Sequence, residues 1–91
     1  MNEQIKKFYT GIIGVTPQTV VSETSLIVAK TIMIGNNTEG EVMVVLTIDG
    51  APFRVSVPNM DTKILDHPIC CTNIIAAADK NISLQISGVT L

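Results

Sequence analysis

The sequence predicts a single all-β domain, an antiparallel β-sandwich or jelly-roll of about eight strands. The 91 residues amount to one domain, residues 1–91, of which residues 1–6 are expected to form a flexible N-terminal segment. Val, Ile and Thr are frequent in a composition that is 46% hydrophobic, and β-branched side chains favour strands over helices. Turn-forming residues recur about every eight to twelve positions, which is typical of a sandwich or barrel.

The first third of the chain contains three predicted strands. They cover residues 7–15, 19–22 and 26–34. Gly11 and Gly14 weaken or bend the first of them, and the Thr16-Pro17 pair separates it from the second, a short edge strand. The polar sequence N-N-T-E-G at residues 36–40 has the composition of a loop and ends the third strand.

The clearest prediction is a hairpin in the middle of the chain. Residues 41–48 form its first strand. One face of this strand consists of Val42, Val44, Leu46 and Ile48. Asp49-Gly50 then supplies the two residues with positive φ that a tight hairpin turn requires. The return strand covers residues 53–57, and one of its faces consists of Phe53, Val55 and Val57.

The last third contains three more predicted strands. They cover residues 62–66, 69–76 and 82–91. The second is a nearly continuous apolar run, as expected for a strand covered on both sides, and Asp79-Lys80-Asn81 forms the turn after it. The run Ala76-Ala77-Ala78 is long enough for one helical turn at most, so no helix of useful length is expected.

Charge and hydropathy exclude several classes of function. The net charge is −2 and no basic run is longer than Lys6-Lys7, so nucleic-acid binding is not expected. No apolar stretch approaches the roughly 18 residues needed to span a bilayer, so membrane insertion is not expected. The polar start of the chain, residues 1–7, lacks the apolar region of a signal peptide.

The residues that could carry chemistry form no recognisable catalytic or metal-binding pattern. His67 is the only histidine, and it lies three and four residues before Cys70 and Cys71. A zinc site needs at least three protein ligands, and the sequence has no second histidine and no C-x-x-C. In an extended segment His67 would lie about 10 Å or more from either cysteine, too far for the direct hydrogen bond that a Cys–His nucleophile pair requires. Adjacent cysteines would bridge only through a strained ring, so two reduced thiols are expected, as in a cytoplasm. The sequence predicts no enzyme, no cofactor and no metal.

The apolar content predicts contacts with other subunits. Only 15% of the residues are charged, and a small domain has too thin a core to bury so many apolar side chains. The second face carries Ile27, Ala29 and Met33 in residues 26–34, and Met43 and Val45 in residues 41–48, where a solvated face would carry polar residues. Either these are central strands of a barrel-like core, or a neighbouring subunit covers them.

Two segments of the chain carry a family resemblance. One is I-M-I-G-N-N-T at residues 32–38, followed by the valine-rich strand 42–48 and Asp49-Gly50; the other is I-S-L-Q-I-S-G-V-T-L at residues 82–91. This pattern, which extends loosely over residues 9–91, resembles small bacteriophage virion proteins of tail, neck or head-decoration type. The chain differs from that pattern in its paired cysteines and in having T-N-I-I at residues 72–75 in place of G-D-x-I.

The resemblance implies a structural role. Such proteins resemble compact β-sandwiches that form symmetric rings or trimers and dock on other virion proteins. The chain is thus expected to be a self-associating part of a phage tail, neck, baseplate or capsid decoration, with a trimer or hexamer favoured. It would be assembled in the host bacterial cytoplasm and end in the virion. The expected subunit or partner interface consists of Ile27, Met33, Met43, Val45, Val89 and Leu91.

Two other interpretations stay open. The main alternative is a receptor- or carbohydrate-binding β-sandwich module at a phage tail tip, although Phe8, Tyr9 and Phe53 are few aromatic side chains for a sugar platform. The other is a small regulatory or host-takeover protein, which would bind a host partner and be absent from purified particles.

Overall fold

A computed structural model describes residues 4–91, and in this range the protein is all-β. Its seven strands are β1 (Lys6–Ile13), β2 (Gln18–Gly35), β3 (Val42–Ile48), β4 (Ala51–Val57), β5 (Thr62–Leu65), β6 (Ile69–Ala78) and β7 (Ile82–Thr90). The predicted fold class is confirmed, with seven strands instead of eight. Residues 4–91 contain no helix, and so none that could cross a membrane. Of the predicted flexible segment 1–6, residues 1–3 lie outside the described range and Lys6 already begins β1.

Strand β2 accounts for the missing eighth strand. The two strands predicted at residues 19–22 and 26–34 are parts of this one strand of 18 residues. The polar residues S-E-T-S at positions 22–25 have the composition of a break. However, β6 pairs with β2 at Ser22 and again at Ile27, so that the ladder is irregular only between these two residues. Pairing with a distant strand therefore continues a segment that local composition would end.

All seven strands belong to one antiparallel sheet that bends around β2. The order is β1-β7-β2-β6-β3-β4, and β5 also pairs with β2. Residues 32–35 of β2 lie between β7 and β5, whereas residues 18–22 pair with β6. We call β1, β7, β5 and residues 32–35 the first layer. The second layer consists of β6, β3, β4 and residues 18–22.

The two layers enclose one hydrophobic core, which makes the domain a small β-sandwich. The first layer contributes, among others, Ile13, Ile34, Leu84 and Ile86. The second contributes, among others, Val44, Leu46, Val57 and Ile74. Each such side chain stabilises the fold by about 1.5–3 kcal/mol when fully buried. At one end of the core, the N–H of Ala78 donates to the carbonyl of Gly14 at 2.8 Å and joins the end of β6 to the end of β1.

A bulge at Lys30 changes which side chains of β2 face the core. Opposite β7 the register advances from Ala29–Gly88 to Thr31–Ser87, which leaves Lys30 as an extra residue. Ile27 and Ile32 are therefore both fully buried, although they are five positions apart. The prediction that Ile27 and Met33 share an outer face is wrong, because alternation reverses at a bulge.

Gly88 lies opposite this bulge and allows the two backbones to approach. A Cβ atom at Gly88 would lie 1.9 Å from the carbonyl oxygen of Val28 and 2.9 Å from Cα of Ala29. Any side chain at this position would force β2 and β7 apart, so the bulge and the glycine depend on each other.

The central hairpin is confirmed. Strands β3 and β4 pair without interruption from Val42–Val57 to Ile48–Ala51. The turn residues Asp49 and Gly50 have φ values of 49° and 87°, as a two-residue turn with the right twist requires. Strand β4 begins at Ala51, earlier than predicted.

Candidate functional site

The outer surface of the first layer carries three exposed large apolar side chains. Ile12, Met33 and Ile64 are 59%, 38% and 55% exposed. Met33 and Ile64 are cross-strand neighbours on β2 and β5. In the next row across the sheet, Gly35 of β2 pairs with Ser83 of β7, and Ser83 pairs with Ile12 of β1. Because Gly35 and Ser83 are small, a depression of about 320 Å³ separates the Met33–Ile64 ridge from Ile12. We call the surface formed by these five residues the Met33 face.

Uncharged polar side chains surround this depression. Thr10 on β1, Thr62 on β5 and Gln85 on β7 line it together with the Met33 face. Their hydroxyl and amide groups can both donate and accept hydrogen bonds, while the floor at Gly35 is open.

The outer surface of the second layer carries Met43 and Val45. Met43 is 37% exposed, and Val45 is half-buried between Arg54 on β4 and Ala77 on β6. Both side chains lie on an outer face, as alternation along β3 indicates. We call this surface the Met43 face. Its role in an interface stays a prediction.

The six predicted interface residues do not form one surface. Ile27 and Val89 are buried, at 0% and 5% exposure, so they cannot contact another subunit and this part of the prediction is wrong. Val89 lies beside Val28 of β2, which is itself half-buried. Met33 and Met43 lie on different layers. Leu91 is exposed at the end of β7, where its N–H donates to the carbonyl of Leu26 at 3.1 Å.

An apolar groove of about 470 Å³ opens between the β3–β4 hairpin and the start of β6. One wall consists of Leu46, Ile48, Ala51, Phe53 and Val55, and the other of Leu65, Ile69 and Cys70. Phe53 is paired with the buried Leu46 and so faces inward, yet it is 54% exposed. On the same face of β4, Val57 is fully buried. We call this feature the hairpin groove.

Asp49 attaches the tip of the hairpin to β6 at the rim of this groove. Its Oδ1 accepts hydrogen bonds from the N–H of Thr72 at 3.0 Å, the N–H of Asn73 at 2.9 Å and Oγ1 of Thr72 at 3.2 Å. Its own N–H donates to the carbonyl of Asn73 at 2.9 Å. The backbone N–H groups of Thr72 and Asn73 favour the ionised carboxylate and lower the pKa of Asp49 below its ordinary value.

The two cysteines differ in environment. Cys70 is exposed and lines the hairpin groove, whereas Cys71 is fully buried, and both are free thiols. Burial raises the pKa of the Cys71 thiol, and the charges of Asp49 and Cys70 raise it further. Cys70 is therefore the thiol open to reagents. Among residues 4–91, no three His, Cys, Asp or Glu side chains come together in a group that could hold a metal ion.

Asn36, part of the I-M-I-G-N-N-T segment, has a structural role. Its side chain is fully buried, and Nδ2 donates to the carbonyls of Gly40 at 2.9 Å, Pro58 at 3.0 Å and Val57 at 3.2 Å. Oδ1 accepts hydrogen bonds from the N–H and Oγ1 of Thr38, at 2.9 and 2.6 Å. One amide thus holds the loop after β2 against the end of β4. The Asn-x-Thr spacing, which favours a local turn, is the signal in the sequence that marks it.

Sequence reasoning missed Ile12, Ile64 and the exposure of Phe53. Ile12 and Ile64 belong to predicted strands, but their place on one surface depends on strands that are far apart in sequence. The exposure of Phe53 depends on which elements cover β4. No local pattern reports either fact.

Comparison with known proteins assigns no family. The chain matches no protein-family model, and no curated protein matches it in sequence. A function for this chain is therefore argued from its own residues and their geometry.

Proposed function

We propose that this protein is a structural, self-associating component of a bacteriophage particle, in a tail, neck, baseplate or capsid-decoration position. The observation that carries the proposal is the Met33 face, an exposed apolar surface on a small domain. Exposed apolar patches of this kind mark protein–protein contacts. The resemblance of residues 32–38 and 82–91 supports the assignment to a particle, which would be assembled in the host bacterial cytoplasm.

The shape of the Met33 face suits contact with other copies of the chain. It offers an apolar ridge, Met33 with Ile64, beside a depression floored by Gly35 and Ser83, so that a ridge of one copy fits the depression of another. Ile64 and Ile12 are about half exposed. Covering each would therefore recover roughly 1 kcal/mol, half of the value for full burial.

The molar mass in solution tests self-association. Size exclusion with light scattering in reducing buffer should give a multiple of the 9.7 kDa chain mass, with a trimer or hexamer favoured. Met33→Asp should reduce that mass to the monomer. Met43→Asp is the matched control, since it is the same substitution at nearly the same exposure, 37% against 38%, on the other layer.

Each other outcome has a definite meaning. A wild-type monomer at high protein concentration would contradict self-association. Dissociation by Met43→Asp alone would move the interface to the Met43 face. The particle assignment is tested separately, by mass spectrometry of purified virions, where the protein should be present in a fixed copy number.

A receptor- or carbohydrate-binding module is the second candidate. The observation that favours it is the ring of uncharged polar groups, Thr10, Thr62 and Gln85, around the depression of the Met33 face. A glycan array would detect such binding, and Gln85→Ala should weaken it. A purely structural component should bind no glycan.

A further inference from the structure

We propose that the hairpin groove binds an extended segment of another protein, one that places alternate apolar side chains in the groove and a lysine or arginine beside Asp49. This site is separate from the Met33 face, and the inference goes beyond the proposed self-association. Three features of the groove lead to it: an uncovered inner face, an unpaired stretch of sheet edge and a carboxylate at the rim.

The inner face of the hairpin is uncovered because the opposite layer is too short. Strand β5 has four residues and ends at Leu65. Along β4, the inward side chains change from fully buried at Val57, through half-buried at Val55, to 54% exposed at Phe53. An inward-facing aromatic side chain that is half exposed has the environment of a core position with a missing neighbour.

The groove also borders an unpaired edge of β6. This strand pairs with β2 from Ile69 to Ala76, but with β3 only from Ile74 to Ala78. Along residues 69–73 no described strand occupies the β3 side, and because Thr72 and Asn73 already bond to Asp49, the unpaired stretch is residues 69–71. In an antiparallel ladder every second residue directs its N–H and C=O to that side, so an added strand would find backbone partners there. Beside this stretch, the side chain of Asp49 supplies the acceptor that a neighbouring strand would provide for Thr72 and Asn73.

Charge selects the kind of segment that fits. The groove walls are apolar, and Asp49 is the one charged residue among those that line it. All three hydrogen bonds to its carboxylate fall on Oδ1, and an ionised carboxylate accepts through both oxygens. An ammonium or guanidinium group at the rim would be attracted, and an acidic group would be repelled. The volume of about 470 Å³ lies within the roughly 300–1,000 Å³ of ordinary binding pockets.

Protection of the Cys70 thiol tests the site on the wild-type protein. The probe is the synthetic peptide Ac-KVTVTVK-amide, with Ac-EVTVTVE-amide and Ac-KGSGSGK-amide as matched controls for charge and for apolar side chains. At a concentration ten times Kd, the first peptide should slow alkylation of Cys70 by N-ethylmaleimide about tenfold. The buried Cys71 provides the slow internal reference in the same sample.

Two variants assign the protection to the groove. Phe53→Asp should abolish it, whereas Met43→Asp, the same exposed apolar-to-acid change on an outer face, should leave it intact. Asp49→Asn keeps an acceptor oxygen for Thr72 and Asn73 but removes the charge. It should weaken the binding of Ac-KVTVTVK-amide about two- to fivefold, as expected for a surface ion pair. It should not weaken the binding of Ac-EVTVTVE-amide.

Three results would overturn the inference. One is no protection by Ac-KVTVTVK-amide at millimolar concentration. Another is equal protection by Ac-KGSGSGK-amide, which would show that binding does not require apolar side chains in the peptide. The third is a fall in the solution mass of the unliganded protein on Phe53→Asp, because the occupant would then be a second copy. The first two results do not bear on the assembly, and the third would still leave self-association supported, so the two proposals fail independently.

Discussion

Replacing Asn36 by aspartate should strongly destabilise the fold, although the two side chains have nearly the same shape. The substitution keeps the oxygen that accepts from Thr38 and removes the NH₂ group that donates to the carbonyls of Gly40, Val57 and Pro58. The new carboxylate would face three carbonyl oxygens in a fully buried position. The substitution therefore removes the donor half of the amide and places a negative charge where it was.

The size of the effect depends on these three carbonyls. The bond to Val57 is buried, and a buried acceptor without a donor costs about 1–3 kcal/mol. The bonds to Gly40 and Pro58 are partly buried, and the two hydrogens of Nδ2 serve all three acceptors, so the other bonds add about 1 kcal/mol together. The lost hydrogen bonds should lower the free energy of unfolding by about 2–4 kcal/mol, and the buried charge adds to this loss at pH 7. For a domain of this size that lowers Tm by roughly 10–20 °C.

Urea unfolding followed by far-UV circular dichroism measures this change, since the chain has no tryptophan. Asn37→Asp is the matched control at the adjacent, exposed position and should change stability by less than about 0.5 kcal/mol. The surrounding carbonyls raise the pKa of the new carboxyl at position 36 in the folded state. The destabilisation should thus be smallest below about pH 4 and grow as the pH rises. If Asn36→Asp were as stable as the control at pH 7, the structural role of the amide would be refuted.

Three further predictions concern Gly88, Asp49 and Met60. Gly88→Ala should cost at least about 3 kcal/mol or prevent folding, because the new Cβ would lie 1.9 Å from a backbone oxygen of β2. Gly35→Ala, whose nearest neighbour would be 3.7 Å away, should change Tm little, and equal effects of the two would contradict the close approach. The pKa of Asp49 is lowered, so its stabilising contribution is complete above about pH 4 and is lost as the pH falls through that lowered pKa. Asp49→Asn should flatten the dependence of stability on pH in this acid range, and an unchanged acid titration would argue against the carboxylate contacts with β6. Met60 is exposed and has a φ of 54°, so Met60→Gly should raise stability by about 0.5–1 kcal/mol in urea unfolding. A loss of stability would show that the methionine side chain contributes more than its backbone conformation costs.

Features with local determinants could be predicted from the sequence. The β3–β4 hairpin depends on alternating apolar residues and on Asp49-Gly50, all within one short segment, and it forms as expected. Met43 lies on an outer face for the same reason. Ile27 does not, because the bulge at Lys30 reverses the alternation of β2 opposite Gly88, which is more than fifty residues away in the sequence.

In the candidate surfaces, too, single exposed residues could be predicted from the sequence, but the grouping of residues into one surface could not. Met33 could be predicted as an exposed apolar residue, but its neighbours Ile12 and Ile64 come from β1 and β5, and only the order of strands brings them to one face. The hairpin groove could not be predicted at all. Its opening results from the short length of β5 and from the point at which β3 stops along β6.

Local sequence is sufficient to make the chain all-β, because the preference of Val, Ile and Thr for strands and the conformations of turn residues act within a few positions. The hairpin and the approximate limits of most strands have the same local origin. Which apolar residues are covered is instead a property of the folded domain. Burial depends on the layer that packs on each face, and that layer comes from distant parts of the chain, so Val57 is buried and Phe53 is exposed on one face of the same strand.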